Sequence, residues 1–179
     1  MLDAGQNIIA RQLPKTGQIT NYVAGDDGTY QAGWWRGRLN ANNRTRFIQR
    51  TIGGDDIVLD RATGLMWPKD FAGAGAFNGN VLAWNFALAW TNGLNFAGFG
   101  DWRLPNALEL ASLINFETGP PYIWPPFINC IYLPEEAYWT STTHSTVITQ
   151  AMAVWFGLIV LAAWEKILQL YVIAVRKGV

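Results

Sequence analysis

Cysteine occurs once, at Cys130, and histidine once, at His144. A single cysteine excludes an intrachain disulfide framework and any multi-cysteine zinc site. Neither residue has the neighbours that chemistry needs. Cys130 stands in "FINCIYLP" among apolar residues, without an adjacent base, and reads as buried and inert. His144 stands in "TSTTHSTVIT" with no second histidine for a metal, so a turn histidine is the commoner reading. No catalytic residue is expected, and the chain is not expected to be an enzyme. Charge of one sign is lacking too, since 13 basic and 13 acidic residues cancel. With no basic field, nucleic acid is not an expected partner. The N-terminus shows no basic start followed by an apolar run of about 7–15 residues, so no signal peptide is expected and synthesis falls to the cytoplasm.

A long hydrophobic run is absent as well, although one stretch imitates it. "AMAVWFGLIVLAAW" (151–164) carries no charge, and "ILQLYVIAV" follows after Glu165 and Lys166. A membrane-spanning helix needs about 20 apolar residues. Extending this run to 175 would place both charges mid-span, at about 2.5–3.5 kcal/mol each. The stretch is rich in Val, Ile, Trp and Phe, which favour strands. Two half-buried strands flanking a short "WEK" turn are expected, and no membrane span.

What the chain does have is 18 glycines and 10 tryptophans in 179 residues, the mark of many tight turns and large rigid anchors. "RFIQRTIGGDDIVLDRATGLMWPK" (46–69) reads as three strands turning at Gly53-Gly54 and Thr63-Gly64, the last stopped by Pro68. "FAGAGAFNGN" (71–80) is a loop, and helical spacing over 81–94 predicts a helix capped by Asn80. "NALELASLIN" (106–115) predicts a second helix, with Asn106 and Glu109 placed for a capping box. "GPPYIWPPF" (119–127) is irregular, and "AYWTSTT" (137–143) opens a strand-rich end. The class is α+β, with one domain over 1–179 that begins with an extended arm and a Gly-rich loop (1–45). Trp67, Trp102 and Trp139 lie beside turn residues and read as core plates. Asp101 and Arg103 are expected to pair or to hold loop carbonyls, and Arg176 to anchor a carboxylate.

Four motifs in order, "ATGLMW" (62–67), "DWRLPNALELASLI" (101–114), "YWTSTT" (138–143) and "YVIAVRKG" (171–178), resemble the collagen-like adhesin C-terminal domain family. "LPKTGQITNYVAGDDGTY" (13–30) resembles the segment that often precedes that domain. The resemblance implies a C-type-lectin-like fold of the formylglycine-generating-enzyme subtype, with two helices on small mixed sheets. The cysteines through which those enzymes work are not present. The Glu-Pro-Asn and Trp-Asn-Asp signatures of calcium-dependent lectins are absent too. Paired carboxylates in "GDDGT" (25–29) and "GGDD" (53–56) could hold Ca²⁺. Neither completes a calcium loop, so solvated turns are the commoner explanation and no cofactor is expected.

The departure from the family pattern lies in 138–179. Family members close in alternating strands with small polar residues outward. Here the inward frame is kept at Ala151, Val154, Phe156, Tyr171, Val172, Ala174, Val175 and Arg176. Between these stand Met152, Trp155, Gly157, Leu158, Ile159, Trp164, Leu168, Leu170 and Ile173, which are the expected ligand-binding positions. A kept frame with arbitrary apolar fillings resembles the variable proteins of diversity-generating retroelements. In those proteins adenine-directed mutagenesis rewrites selected codons, often for Asn, in a C-terminal segment. The resemblance implies a non-catalytic binder of a protein or other macromolecule, working at a virion or cell surface. A fixed-specificity adhesin or lectin-like domain, or an oligomerising structural protein, stays open as the alternative, since exposed apolar residues call for a partner either way.

Overall fold

The computed structural model describes residues 13–33, 45–133 and 136–178. Expectations for 1–12 and 34–44, including part of the arm and the Trp34-Trp35 end of the Gly-rich loop, lie outside them. The described part of the arm lies against the body, where the Glu117 carboxylate accepts hydrogen bonds from Ile19 N at 2.8 Å and Thr20 N at 3.1 Å. Asp26 then caps a single helical turn, α1 (Asp27–Tyr30), where a loop is the sequence expectation.

The first sheet is built from a meander. β1 (Phe47–Ile52), β2 (Asp55–Asp60) and β3 (Leu65–Pro68) pair antiparallel, and the first turn is Gly53-Gly54. Both glycines have left-handed φ, 61° and 94°, the backbone a two-residue hairpin requires. A buried ion pair underlies the second turn. Arg46 and Asp60 are 1% exposed each, and the guanidinium donates from Nε at 2.9 Å and from Nη2 at 2.8 Å. Asp60 also accepts from Ala62 N and Thr63 Oγ1, so one carboxylate fixes both the arginine and the turn.

The expected helix over 81–94 starts later. Val81–Ala83 form a short strand, β4, and α2 runs from Trp84 to Asn92 with Ala83 at the cap position. Asn80 does not cap it; its amide donates to Phe77 O and closes the preceding turn. In the second helix, α3 (Ala107–Ala111), the expected capping box is present. Asn106 Oδ1 accepts from Glu109 N and the Glu109 carboxylate accepts from Asn106 N, both at 2.8 Å. Arg103 binds Glu109 at 2.6 and 2.7 Å, while Asp101 binds Arg176. The two charges flanking Trp102 thus find separate partners.

The C-terminal third supplies β5 (Tyr138–Thr143), β6 (Gln150–Trp155), β7 (Val160–Glu165), β8 (Gln169–Tyr171) and β9 (Arg176–Lys177). The second sheet has the order β4-β8-β5-β6-β7, and β9 returns to the first sheet beside β3. This is an α+β fold. The expected "WEK" turn falls later, at 166–168, since Trp164 and Glu165 still belong to β7, and residues 156–159 form another turn, so the 151–164 run is itself a hairpin. The β6 half of the run tolerates its composition because both faces of that strand are covered. Val154 and Phe156 face the larger core with Trp67, Phe71, Leu110, Trp124 and Tyr138. Ala151 and Ala153 face a second cluster with Trp139 and Leu104. Trp67, Trp102 and Trp139 are at most 2% exposed, as core plates.

Candidate functional site

Register decides which C-terminal side chains share a face. Across β6 and β7, Trp155 pairs with Val160, Ala153 with Ala162 and Ala151 with Trp164. These six occupy the face toward the second cluster, where Trp84, Leu88 and Trp90 of α2 are partly buried against the sheet. Met152, opposite Ala163, lies on the other face with Val154 and Leu161. Trp155 and Trp164 are half-buried at the rim of the cluster. Trp84 and Trp139 behind them are held by indole N–H bonds to Thr140 O and Leu82 O, both 2.8 Å. Lys166 adds its ammonium 3.9 Å from the centre of the Trp84 ring and 2.9 Å from Thr143 Oγ1. The face is therefore a fixed bed of tryptophans rather than a flexible loop.

Besides Gly157, six of the nine expected positions are accessible to some degree. Leu158 in the β6–β7 turn is 58% exposed and Leu168 in the next turn 42%. Met152, Trp155, Ile159 and Trp164 are half-buried. Three expectations are corrected. Leu170 is 5% exposed, because it pairs with Leu82 and packs under the tryptophan cluster. Ile173 is fully buried, because the chain leaves β8 and passes through the core, where Val172 to Val175 are all covered and alternation ends. Gly157 cannot vary, since a Cβ there would lie 2.1 Å from Tyr132 O, a backbone atom that cannot swing aside. Conversely, the sequence reading missed Val160, Leu161 and Ile167, which are 37%, 41% and 85% exposed. Their signal was position at a sheet edge, which composition does not reveal.

Ile159 has a left-handed backbone, φ 59°. A β-branched residue is a true outlier there, whereas Gly and Asn adopt it readily.

Chemistry is sparse elsewhere. His144 Nδ1 accepts from Val147 N at 3.0 Å and Thr146 N at 3.3 Å, so the ring caps its own turn. Burial pushes the Cys130 thiol up to about 12, which leaves it unreactive at neutral pH. Among the described residues, no three His, Cys, Asp or Glu side chains gather to hold a metal. No helix among them is long and apolar enough to cross a membrane.

A family profile for the Lcl C-terminal domain matches residues 56–176, from β2 to the start of β9. The chain belongs to this family. Lcl C-terminal domains are adhesin-like and are not a known enzyme family. The match takes in β6, β7 and both of their turns, so the tryptophan face and the exposed apolar turns are parts of the Lcl C-terminal domain itself. No curated protein and no solved structure matches the chain.

Proposed function

We propose that this Lcl C-terminal domain is a non-catalytic recognition module of C-type-lectin-like design. In this reading its 138–179 segment carries a surface diversified by a retroelement and aimed at a protein or other macromolecule. Trp155 and Trp164 would anchor the ligand, with Leu158, Ile159 and Leu168 around them, while Met152 lies on the opposite face of the sheet. Large aromatics concentrate binding energy, and truncating a central one typically costs about 2 kcal/mol or more. The observation that carries the reading is Ile159. Its left-handed φ suits Asn, and a single adenine-to-thymine change in either Asn codon gives Ile. A residue that contradicts its backbone, in the turn that also exposes Leu158, is what rewriting without regard to fold would leave.

The genetic test is direct. The neighbouring DNA should hold a near-copy of the segment's coding sequence, differing at adenines, beside a reverse transcriptase. A flank with neither would return the chain to the fixed-adhesin reading.

A stability measurement tests the same point at the protein level. Ile159 is packed in part against the larger core, and exchanging a half-buried isoleucine for a polar residue ordinarily costs about 2 kcal/mol. Relief of left-handed strain, worth about 1–3 kcal/mol, offsets this. Ile159→Asn is therefore expected to shift stability by less than about 1 kcal/mol, or about 2–4 °C in melting temperature. A loss of several kcal/mol would mean that the core, not the backbone, specifies this residue.

A further inference from the structure

A sheet edge is a row of free backbone N–H and C=O groups, and folded chains blunt such edges with charge, proline, bulges or brevity. The two sheets have four edge strands. β4 and β9 are three and two residues long. β1 is longer, but it exposes Gln49, Arg50 and Thr51. β7 has none of these protections. Its six residues, VLAAWE, pair with β6 in unbroken register and contain no proline. The charges at its end are turned back onto their own chain. Glu165 accepts from Gln150 Nε2 at 2.7 Å, and Lys166 is held by Thr143 and the Trp84 ring. No strand among the described residues pairs with the outer edge. Exposed apolar residues extend along it, with Leu158 at one end, Val160 and Leu161 on the strand, and Val147, Ile148 and Ile167 at the other end.

We propose that β7 pairs with itself: two copies of the chain join antiparallel about a two-fold axis at Ala162, fusing two five-stranded sheets into one of ten strands. Charge and shape select this occupant. The edge offers an extended backbone with apolar or small side chains from 160 to 164 and a single charge at its end, Glu165, so it fits a strand of the same kind and gives a charged strand little counterpart. A two-fold axis perpendicular to the sheet pairs residues of equal parity. Ala162 then meets the partner's Ala162, so the smallest side chain lies on the axis. Val160 meets the partner's Trp164, and Leu161 the partner's Ala163. Glu165 falls beside the partner's Ile159 and Lys166 beside the partner's Leu158, so like charges never oppose. The pairing sets two tryptophan faces side by side, a bivalent surface whose avidity exceeds that of either copy. It rests on the edge itself and not on diversification of the segment.

Light scattering on the full chain is expected to give twice the chain mass. Leu161→Lys places two ammonium groups close to the axis on one face, and should return the chain mass with an unchanged circular-dichroism spectrum and a melting temperature that no longer depends on concentration. Ala162→Cys should form an intermolecular disulfide across the axis on mild oxidation, because the native Cys130 is buried. A species of single-chain mass at every accessible concentration overturns the proposal. So does a dimer that neither dissociates on Leu161→Lys nor cross-links through position 162. If Leu161→Lys fails to fold, cross-linking decides alone. A monomer with a rewritten segment would remove the dimer and leave the recognition reading standing, whereas a dimer without a neighbouring reverse transcriptase would do the reverse.

Discussion

Asp60→Ala is expected to lower stability by about 3–5 kcal/mol, which is a large share of the roughly 5–15 kcal/mol a domain has. The reason is the arginine left behind. Arg46 is 1% exposed, lies 4.5 Å from the centre of the Phe47 ring and 5.6 Å from that of Trp124, and among the described residues reaches no carboxylate other than Asp60. Its remaining polar contact among the described residues is Nη2 to Ser112 O at 3.1 Å, and Nη1 has no partner among them. Without Asp60 a cation stays desolvated with one carbonyl for company. The loss also frees Ala62 N and Thr63 Oγ1, so the β2–β3 turn loosens with it. Asp60→Asn keeps one acceptor oxygen for the turn, enough for Ala62 N, but loses the charge and the second oxygen, and should cost nearly as much. Adding Arg46→Met to Asp60→Asn removes the orphan cation and should recover more than half of the loss, because apolar replacements of a buried pair are often neutral or better. Urea unfolding of the three variants separates charge from turn. An Asp60→Ala loss under about 1 kcal/mol would mean that water reaches Arg46.

That pair was invisible in the sequence. Arg46 and Asp60 are 14 residues apart, on either side of a hairpin, and no periodicity links them. What was legible was local. Gly53-Gly54 specifies its turn, Asn106 and Glu109 their capping box, and the turn-flanking Trp67, Trp102 and Trp139 their burial. β4 was not legible, because Val81–Ala83 also fits a helical period. Only pairing with Gln169–Tyr171, nearly ninety residues on, decides for strand. The candidate face divides in the same way. Parity correctly separates Trp155 from Val154 and Phe156, because β6 is regular. The same rule fails at Leu170 and Ile173. It assumes one solvated face, yet the tryptophan cluster covers β8, and the segment beyond β8 is no longer a strand. Gly157 failed for a different reason: its constraint is the Tyr132 carbonyl, 25 residues away in the chain.

The distinction between frame and filling has its sharpest consequence at Phe156. Phe156→Ala is expected to cost about 3–5 kcal/mol, the range for removing a fully buried aromatic ring. The ring is 0% exposed and packs edge-on against Phe71 at 5.9 Å and Tyr138 at 5.8 Å, rings that also contact each other at 5.3 Å. Collapse to fill the cavity is resisted from both sides. The Phe156 carbonyl is bound by Tyr122 N at 2.9 Å, and Gly157 beside it sits hard against the Tyr132 backbone. One residue away, Trp155→Asn removes a half-buried ring with a weak 3.5 Å bond to Tyr132 O, and should cost about 1–2 kcal/mol. Leu158→Asn, at 58% exposure, should stay within about 0.5 kcal/mol. Phe156, Trp155 and Leu158 are thus frame, rim and face within a span of four positions. Thermal melts can read it, since each kcal/mol corresponds to about 2–4 °C. Equal losses at Phe156 and Leu158 would mean that the turn is packed as tightly as the core. A surface that must be rewritten without unfolding the protein could not then be built there.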